Sequence, residues 1–283
     1  DFYRVDTALT LPRVHPDDYR LTVGGRVGNP MSLSYEDLLS RPMMEREITV
    51  SCVSNEVGGE LAGNARWLGV PLADLLAEAE PDAGADQLVG RSADGWTCGT
   101  PVKECVDGRD AMLAVGMNGE PLPLVHGFPV RMLVPGLYGY VSATKWLVAL
   151  ELSAFSDFDP YWVRRDWAAE APVKTFSRID TPTALKRVAS GRVPVAGVAW
   201  AQHRGVAAVE VRVDEGDWKE AELAPIVSSD TWRQWLWQWE AAPGRHKLQV
   251  RAADHTGTTQ PEERRPPFPD GATGWHSTTV VVE

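Results

Sequence analysis

Short runs of alternating apolar and polar residues dominate this chain, and helical spacing is confined to brief stretches. Residues 19–27 predict a strand that ends in a Gly28-Asn29-Pro30 turn. Ser34 is placed to cap a short helix over 35–39, which Pro42 stops. The run 47–53 is rich in Ile and Val and predicts a largely buried strand, and 72–78 has helical spacing. Two further strands, 111–117 and 130–134, are separated by an Asn118-Gly119 turn and a proline-rich loop. A strand over 145–152 closes this half. Strands and helices interleave without a regular βαβ beat, which makes residues 1–155 an α+β domain.

The pattern changes in the second half. From Pro194 onward strands follow one another at short intervals and helical periodicity almost disappears. Runs at 206–213, 218–223, 232–240, 246–252 and 277–282 contribute to a set of about six strands. That spacing predicts an all-β, immunoglobulin-like sandwich over residues 160–283. The boundary falls within 157–172, an aromatic and charged stretch of no clear period. The loop 261–274 is long for a sandwich, and loops of this length are more often functional or interface-forming than idle. Trp235, Trp237 and Trp239 share one strand face, which suits a sandwich core or an interface better than an aromatic sugar platform.

Charge narrows the function. With 39 acidic against 28 basic residues the formal net charge is −11, which disfavours nucleic acid as a partner. An acidic surface serves solubility and would also suit a basic redox partner. No apolar run reaches the roughly 18 to 20 residues that span a bilayer. The chain begins at Asp1 rather than methionine, which leads us to expect a trimmed or cleaved N-terminus. Phosphate-binding, dinucleotide, zincin and nucleophile-elbow motifs are missing, and the six histidines are scattered. Asp214 to Asp217 reads as a hairpin turn rather than a calcium loop. Three cysteines, Cys52, Cys98 and Cys105, cannot all pair, although Cys98 and Cys105 could do so with each other.

Three segments of the first half stand out: SCVSN at 51–55 followed by ARWLGVPL at 65–72, MNGEPLPLVHGFPVRMLVPG at 117–136, and TKWL at 144–147. Together they resemble the sulfite oxidase family of molybdenum enzymes. In the second half VAGVAW (195–200), VEVRVDEGDW (209–218), WRQWLWQW and RAAD followed by QPE resemble the family's immunoglobulin-like dimerisation domain. The resemblance implies a sulfite-oxidase-type domain that binds molybdenum and molybdopterin, one pterin per chain, with Cys52 as metal ligand and catalytic residue. A soft thiolate suits a metal already held by dithiolene sulfurs; the structural alternative for Cys52 is a small core residue. By position, His126, Arg131, Ala143, Thr144 and Lys145 match the family's cofactor-binding residues. Tyr3 and Arg4 match a cofactor-contacting N-terminal segment, and Ser92 is a further candidate. Arg131 lies between Val130 and Met132 in an apolar strand, where a charge needs a partner.

The chain departs from true sulfite oxidases. Where they follow the cysteine with Ala-Gly-Asn-Arg-Arg, this chain has Val53, Ser54, Asn55, Glu56 and Val57. An Arg-Asn-His signature near the N-terminus becomes Val5, Asp6 and Thr7, and the family's active-site tyrosine aligns with Trp96. The expected function is oxygen-atom transfer on a small substrate, with electrons exchanged with a separate cytochrome or membrane redox protein, since no haem motif is present. The alternatives are reduction of a sulfoxide, N-oxide or nitrate, and a non-catalytic molybdopterin-binding or interaction protein. Likeness to bacterial members implies a cell-envelope location outside the cytoplasm, on a tether carried by a preceding segment. It also implies a homodimer through the second domain.

Overall fold

The computed structural model of the protein describes residues 2–283. Two compact units emerge: one holds Asp1–Val53 and Gly63–Pro172, the other Ser54–Ala62 and Val173–Glu283.

The first unit carries two sheets. One contains β1 (Arg20–Gly25), β2 (Met31–Ser34), β5 (Gln87–Ser92), β6 (Thr97–Pro101) and β10 (Leu147–Ser153), in the order β2-β1-β10-β5-β6. The other contains β3 (Met44–Ser51), β4 (Ala62–Pro71), β7 (Met112–Met117) and β8 (Glu120–Pro121) in that order, with β9 (Arg131–Leu133) on β7. Short helices α1 (Tyr35–Leu39), α2 (Leu72–Ala79), α3 (Val102–Val106) and α4 (Gly139–Ser142) join them. Ser34 caps α1 as the sequence predicts, in a reciprocal capping box with Asp37. Ile48, Val50, Ala65, Trp67, Met112, Ala114, Met117, Leu122, Leu133 and Ala143 form one core cluster beneath the second sheet. Phe2 and Tyr3 pack against that cluster, and the Trp67 indole N–H donates to the Ile48 carbonyl at 3.1 Å.

The second unit is entirely sheet. β11 (Phe176–Thr181), β13 (Gly191–Trp200), β16 (Glu222–Leu223) and β17 (Arg233–Ala241) form one sheet, in the order β11-β13-β17-β16. β12 (Arg187–Val188), β14 (Val206–Val213), β15 (Lys219–Glu220), β18 (Gly244–Asp254) and β19 (His276–Val282) form the other, in the order β12-β19-β18-β14-β15. Both contribute to one core, which includes Val195, Val209, Val211, Trp235, Trp239, Leu248, Val250 and Val280. Trp237 packs against it from a half-buried position.

Several expectations need correction. The second half holds nine described strands rather than about six. The run 218–223 is two strands on different sheets, β15 on β14 and β16 on β17; they are separated by Ala221, whose N–H donates to Val209. The strand expected from 145 starts at Leu147, because Trp146 takes a positive φ of 49° and its N–H bonds to Gly127. Cys98 and Cys105 do not pair; both are buried thiols, Cys98 beside the Thr100 hydroxyl and Cys105 donating to the Pro101 carbonyl.

One buried carboxylate anchors the turn after β18. Asp254 is 1% exposed and accepts from the hydroxyls of Thr175 and Thr256, from Arg204 Nε at 2.9 Å, and from the backbone of Thr256 and Thr258. Burial works to raise its pKa, but these hydrogen bonds outweigh it and hold the carboxyl well below its usual range. Asp254→Asn turns an amide donor toward existing donors, so it is expected to cost about 3 to 5 kcal/mol. The native contribution is complete above about pH 4, the unfolded carboxylate range, and fades as pH falls below it. Urea unfolding of both proteins at pH 7 and pH 3 measures this; equal stability at pH 7 would show the network to be dispensable.

Candidate cofactor site

The candidate site of the first unit is built around a buried cation. Arg131 on β9 is 3% exposed. Its Nη1 donates to the His126 carbonyl over a long 3.4 Å, while Nε has no hydrogen-bond partner. The guanidinium lies 5.2 Å from the centre of the Trp67 ring, a cation–π contact that supplies no counter-charge. Burial pushes its pKa down to about 10, against a smaller upward pull from Tyr3, so it stays charged at neutral pH. A desolvated guanidinium with an unused N–H needs an anion that can accept from it.

Lys145 stands close by. Gly127 takes φ of 112°, and a Cβ there would come within 3.1 Å of the Lys145 Cβ and 3.3 Å of the Arg131 Cβ, so only glycine fits. The Lys145 ammonium donates to Asp6 Oδ2 at 3.0 Å and to the Val125 carbonyl at 3.2 Å. Arg4 Nε donates to the same Asp6 oxygen at 2.8 Å. Burial, then the charge of Arg131, lowers the Lys145 pKa to about 8, while Asp6 opposes the fall. Burial and the neighbouring charges of Arg131, Lys145 and Arg4 hold His126 neutral, with its pKa down to about 4. Its buried Nδ1 has no partner. The Thr144 hydroxyl lies beside Gly90 and the Cys98 thiol of β5 and β6, while its carbonyl accepts from Met132 N.

Cys52 is half-buried and directly follows β3. Tyr3 feels both ends of the site: burial and the Cys52 thiol push its phenol up, and Arg131 pulls it down. A Cβ on Gly139, the first residue of α4, would lie 3.6 Å from the Ser51 carbonyl and 3.7 Å from the Tyr3 hydroxyl. The end of β3 and the start of α4 therefore meet at Tyr3. Ala143, the C-cap of α4, is buried in the adjoining core, and Thr144 and Lys145 follow it.

Tyr3, Arg4, Cys52, His126, Arg131, Ala143, Thr144 and Lys145 thus gather in one region. Ser92 ends β5 on the neighbouring sheet, opposite Leu147. Its hydroxyl accepts from Asp94 N at the turn between β5 and β6, and its backbone pairs with Leu147 and Trp96. Trp96 belongs to the same turn, its N–H bound by Asp94. Sequence reasoning missed Asp6, Trp67, Gly127 and Phe2, whose ring packs edge-on against Trp67 and His126. The ARWLGV run carried a signal for Trp67, and Asp6 stood in a segment noted only for what it had lost.

The donor set fits a molybdopterin. Arg131 Nε and His126 Nδ1 are buried polar atoms lacking partners, suited to a phosphate and a heterocycle. Among the described residues no three His, Cys, Asp or Glu side chains cluster to hold a metal. A metal at Cys52 would therefore draw its other donors from outside the chain, as dithiolene sulfurs provide.

Comparison with known proteins agrees. The family model for the oxidoreductase molybdopterin binding domain matches residues 8–162. Mitochondrial sulfite oxidase of Rattus norvegicus is 31% identical over 91% of this chain, which spans 56% of that protein's length. Sulfite oxidase of Arabidopsis thaliana is 28% identical over 88% of this chain and 78% of its own. The crystal structure of the sulfane dehydrogenase SoxCD from Paracoccus pantotrophus superposes with a TM-score of 0.83. It covers 96% of this chain and 80% of that one at 24% identity, a likeness of fold. The chain belongs to the sulfite oxidase family of molybdopterin-binding oxidoreductases.

Proposed function

We propose that this chain uses a molybdenum–molybdopterin cofactor to transfer an oxygen atom to or from a small substrate of low charge, exchanging two electrons with a separate carrier protein. The observation that carries the reading is Arg131, a buried cation whose Nε has no partner and which needs an anionic ligand. When bound, the cofactor supplies the two-electron redox chemistry. The protein's part is binding and orientation. Arg131 and Lys145 would hold the phosphate, neutral His126 and Thr144 would hydrogen-bond the cofactor, and Cys52 would ligate the metal. The second unit is read as an immunoglobulin-like sandwich that pairs two copies, a state that sedimentation of the full chain would reveal.

Low substrate charge follows from where the arginines are. Arg4 is paired with Asp6 beside Lys145, Arg66 faces Glu45 at the surface, and Arg204 is committed to Asp254. Arg178 and Arg264 donate to carbonyls of Gly59 and Val57, in the segment after the cysteine. Asn55, where the family pattern also has Asn, is used internally, its side chain accepting from Leu61 N, and Glu56 is exposed. These engagements favour a sulfoxide or N-oxide over a dianion.

Replacing Arg131 with the apolar Met separates cofactor binding from folding. Losing one partner of a desolvated charge pair costs about 2 kcal/mol or more, at least roughly a 30-fold loss of affinity. Molybdenum per chain should fall accordingly, while the cofactor-free variant melts no lower than wild type, because an uncompensated buried charge has gone. Normal metal content in that variant would make Arg131 merely structural. Cys52→Ser is expected to abolish dye-linked turnover at full pterin content; retained turnover would remove Cys52 from the metal. Sulfite should be a poor substrate. Two missing arginines weaken dianion binding by about 3 to 6 kcal/mol, or roughly two to four decades. A micromolar Michaelis constant for sulfite on metal-verified enzyme would contradict that.

A further inference from the structure

The anion pocket contains an acid. Asp6 has a side chain only 9% exposed, and its Oδ2 lies 3.0 Å from Lys145 Nζ and 2.8 Å from Arg4 Nε. Its Oδ1 accepts from Arg4 Nη2 at 3.3 Å. A carboxylate among the cations meant for a phosphate should weaken the site through charge repulsion, so its place there requires a reason.

The reason lies in what surrounds Lys145. Its ammonium is 8% exposed and faces like charges, Arg131 and Arg4, with neutral His126 also near. The Val125 carbonyl and the Trp146 ring, 5.4 Å away, also contact it. Burial and like charge both favour the neutral amine, and among the described residues Asp6 is the negative charge that opposes them. Asp6 also leaves the pocket its donors. It takes one of the three ammonium N–H groups, the carbonyl takes a second, and the third stays available. On Arg4 it engages Nε and Nη2, which leaves Nη1. Burial pushes the Asp6 carboxyl up, but the hydrogen bonds from Arg4 and Lys145 outweigh it, so the acid remains ionised.

We propose that Asp6 is a positioning residue of the phosphate pocket: its carboxylate keeps Lys145 an ammonium and holds Arg4 beside it, so that both cations are in place for the phosphate. This rests on reading the pocket as a phosphate site. The sign is definite. The Lys145 ammonium persists below about pH 8 and is lost as pH rises through that value. Removing Asp6 takes away an upward influence, so the loss moves to lower pH.

The test is calorimetric titration of inorganic phosphate into cofactor-free full-length chain between pH 7 and 9. Wild type, Asp6→Asn, Asp6→Glu and Arg131→Met are compared, with melting temperatures as a check on folding. Wild type should hold its affinity to about pH 8 and weaken above it. Asp6→Asn should begin to weaken at least about one pH unit earlier, leaving it at least about fivefold weaker at pH 8. Asp6→Glu should restore the wild-type profile, and Arg131→Met should bind poorly at every pH. In holoenzyme, molybdenum retained per chain after dialysis at pH 8 should follow the same order. Tighter binding by Asp6→Asn at every pH would make Asp6 a competitor of the phosphate and overturn the proposal, as would an unchanged profile. Wild-type affinity equal to that of Arg131→Met would instead overturn the phosphate reading, and this proposal with it.

Discussion

A charged guanidinium removed from water must be paid for by an anion, and in this protein that constraint organises the first unit. Arg131 is closed in by the Trp67 ring on one side and by the His126 carbonyl at the limit of hydrogen-bond length on another. Neither neutralises it. The fold keeps it where it is because β9 is pinned to β7, with Ala114 opposite Arg131 in register, and because Trp67 is locked to Ile48. On the proposed reading, the cost of this arrangement is recovered when a ligand brings negative charge and hydrogen-bond acceptors.

The neighbouring features follow from the same need. Gly127 lets two cationic residues approach across one turn where any side chain would collide. The positive φ at Trp146 falls between buried Lys145 and the start of β10. Asp6 then regulates a charge density that three cations would otherwise drive down by deprotonation. His126, held neutral by those same cations, keeps a ring nitrogen able to act as donor or acceptor rather than adding a fourth charge.

Much of this could be read in the chain. Alternation and turn residues placed most strands of both halves, and Ser34 capped the helix expected of it. The apolar setting of Arg131 marks a charge in need of a partner, and in the structure its Nε has none. What could not be read has definite causes. Two-residue strands such as Arg187–Val188 are too short to show a period, so the strand count ran low. Lys145 sits in an apolar run that looks like strand, and its turn is fixed by long-range bonds between Trp146 and the 124–127 segment. Asp6 was invisible because the role of an acid among cations is defined by its contacts, Lys145 lying 139 residues away in sequence.

The central claim is that Arg131 is the counter-ion of a bound cofactor phosphate. A crystal structure of the molybdenum-loaded protein tests it most directly. The account predicts a phosphate oxygen within hydrogen-bond distance of Arg131 Nε, with Lys145 Nζ contacting the same group. A phosphate held elsewhere, with Arg131 Nε still facing only Trp67 and His126, would contradict it.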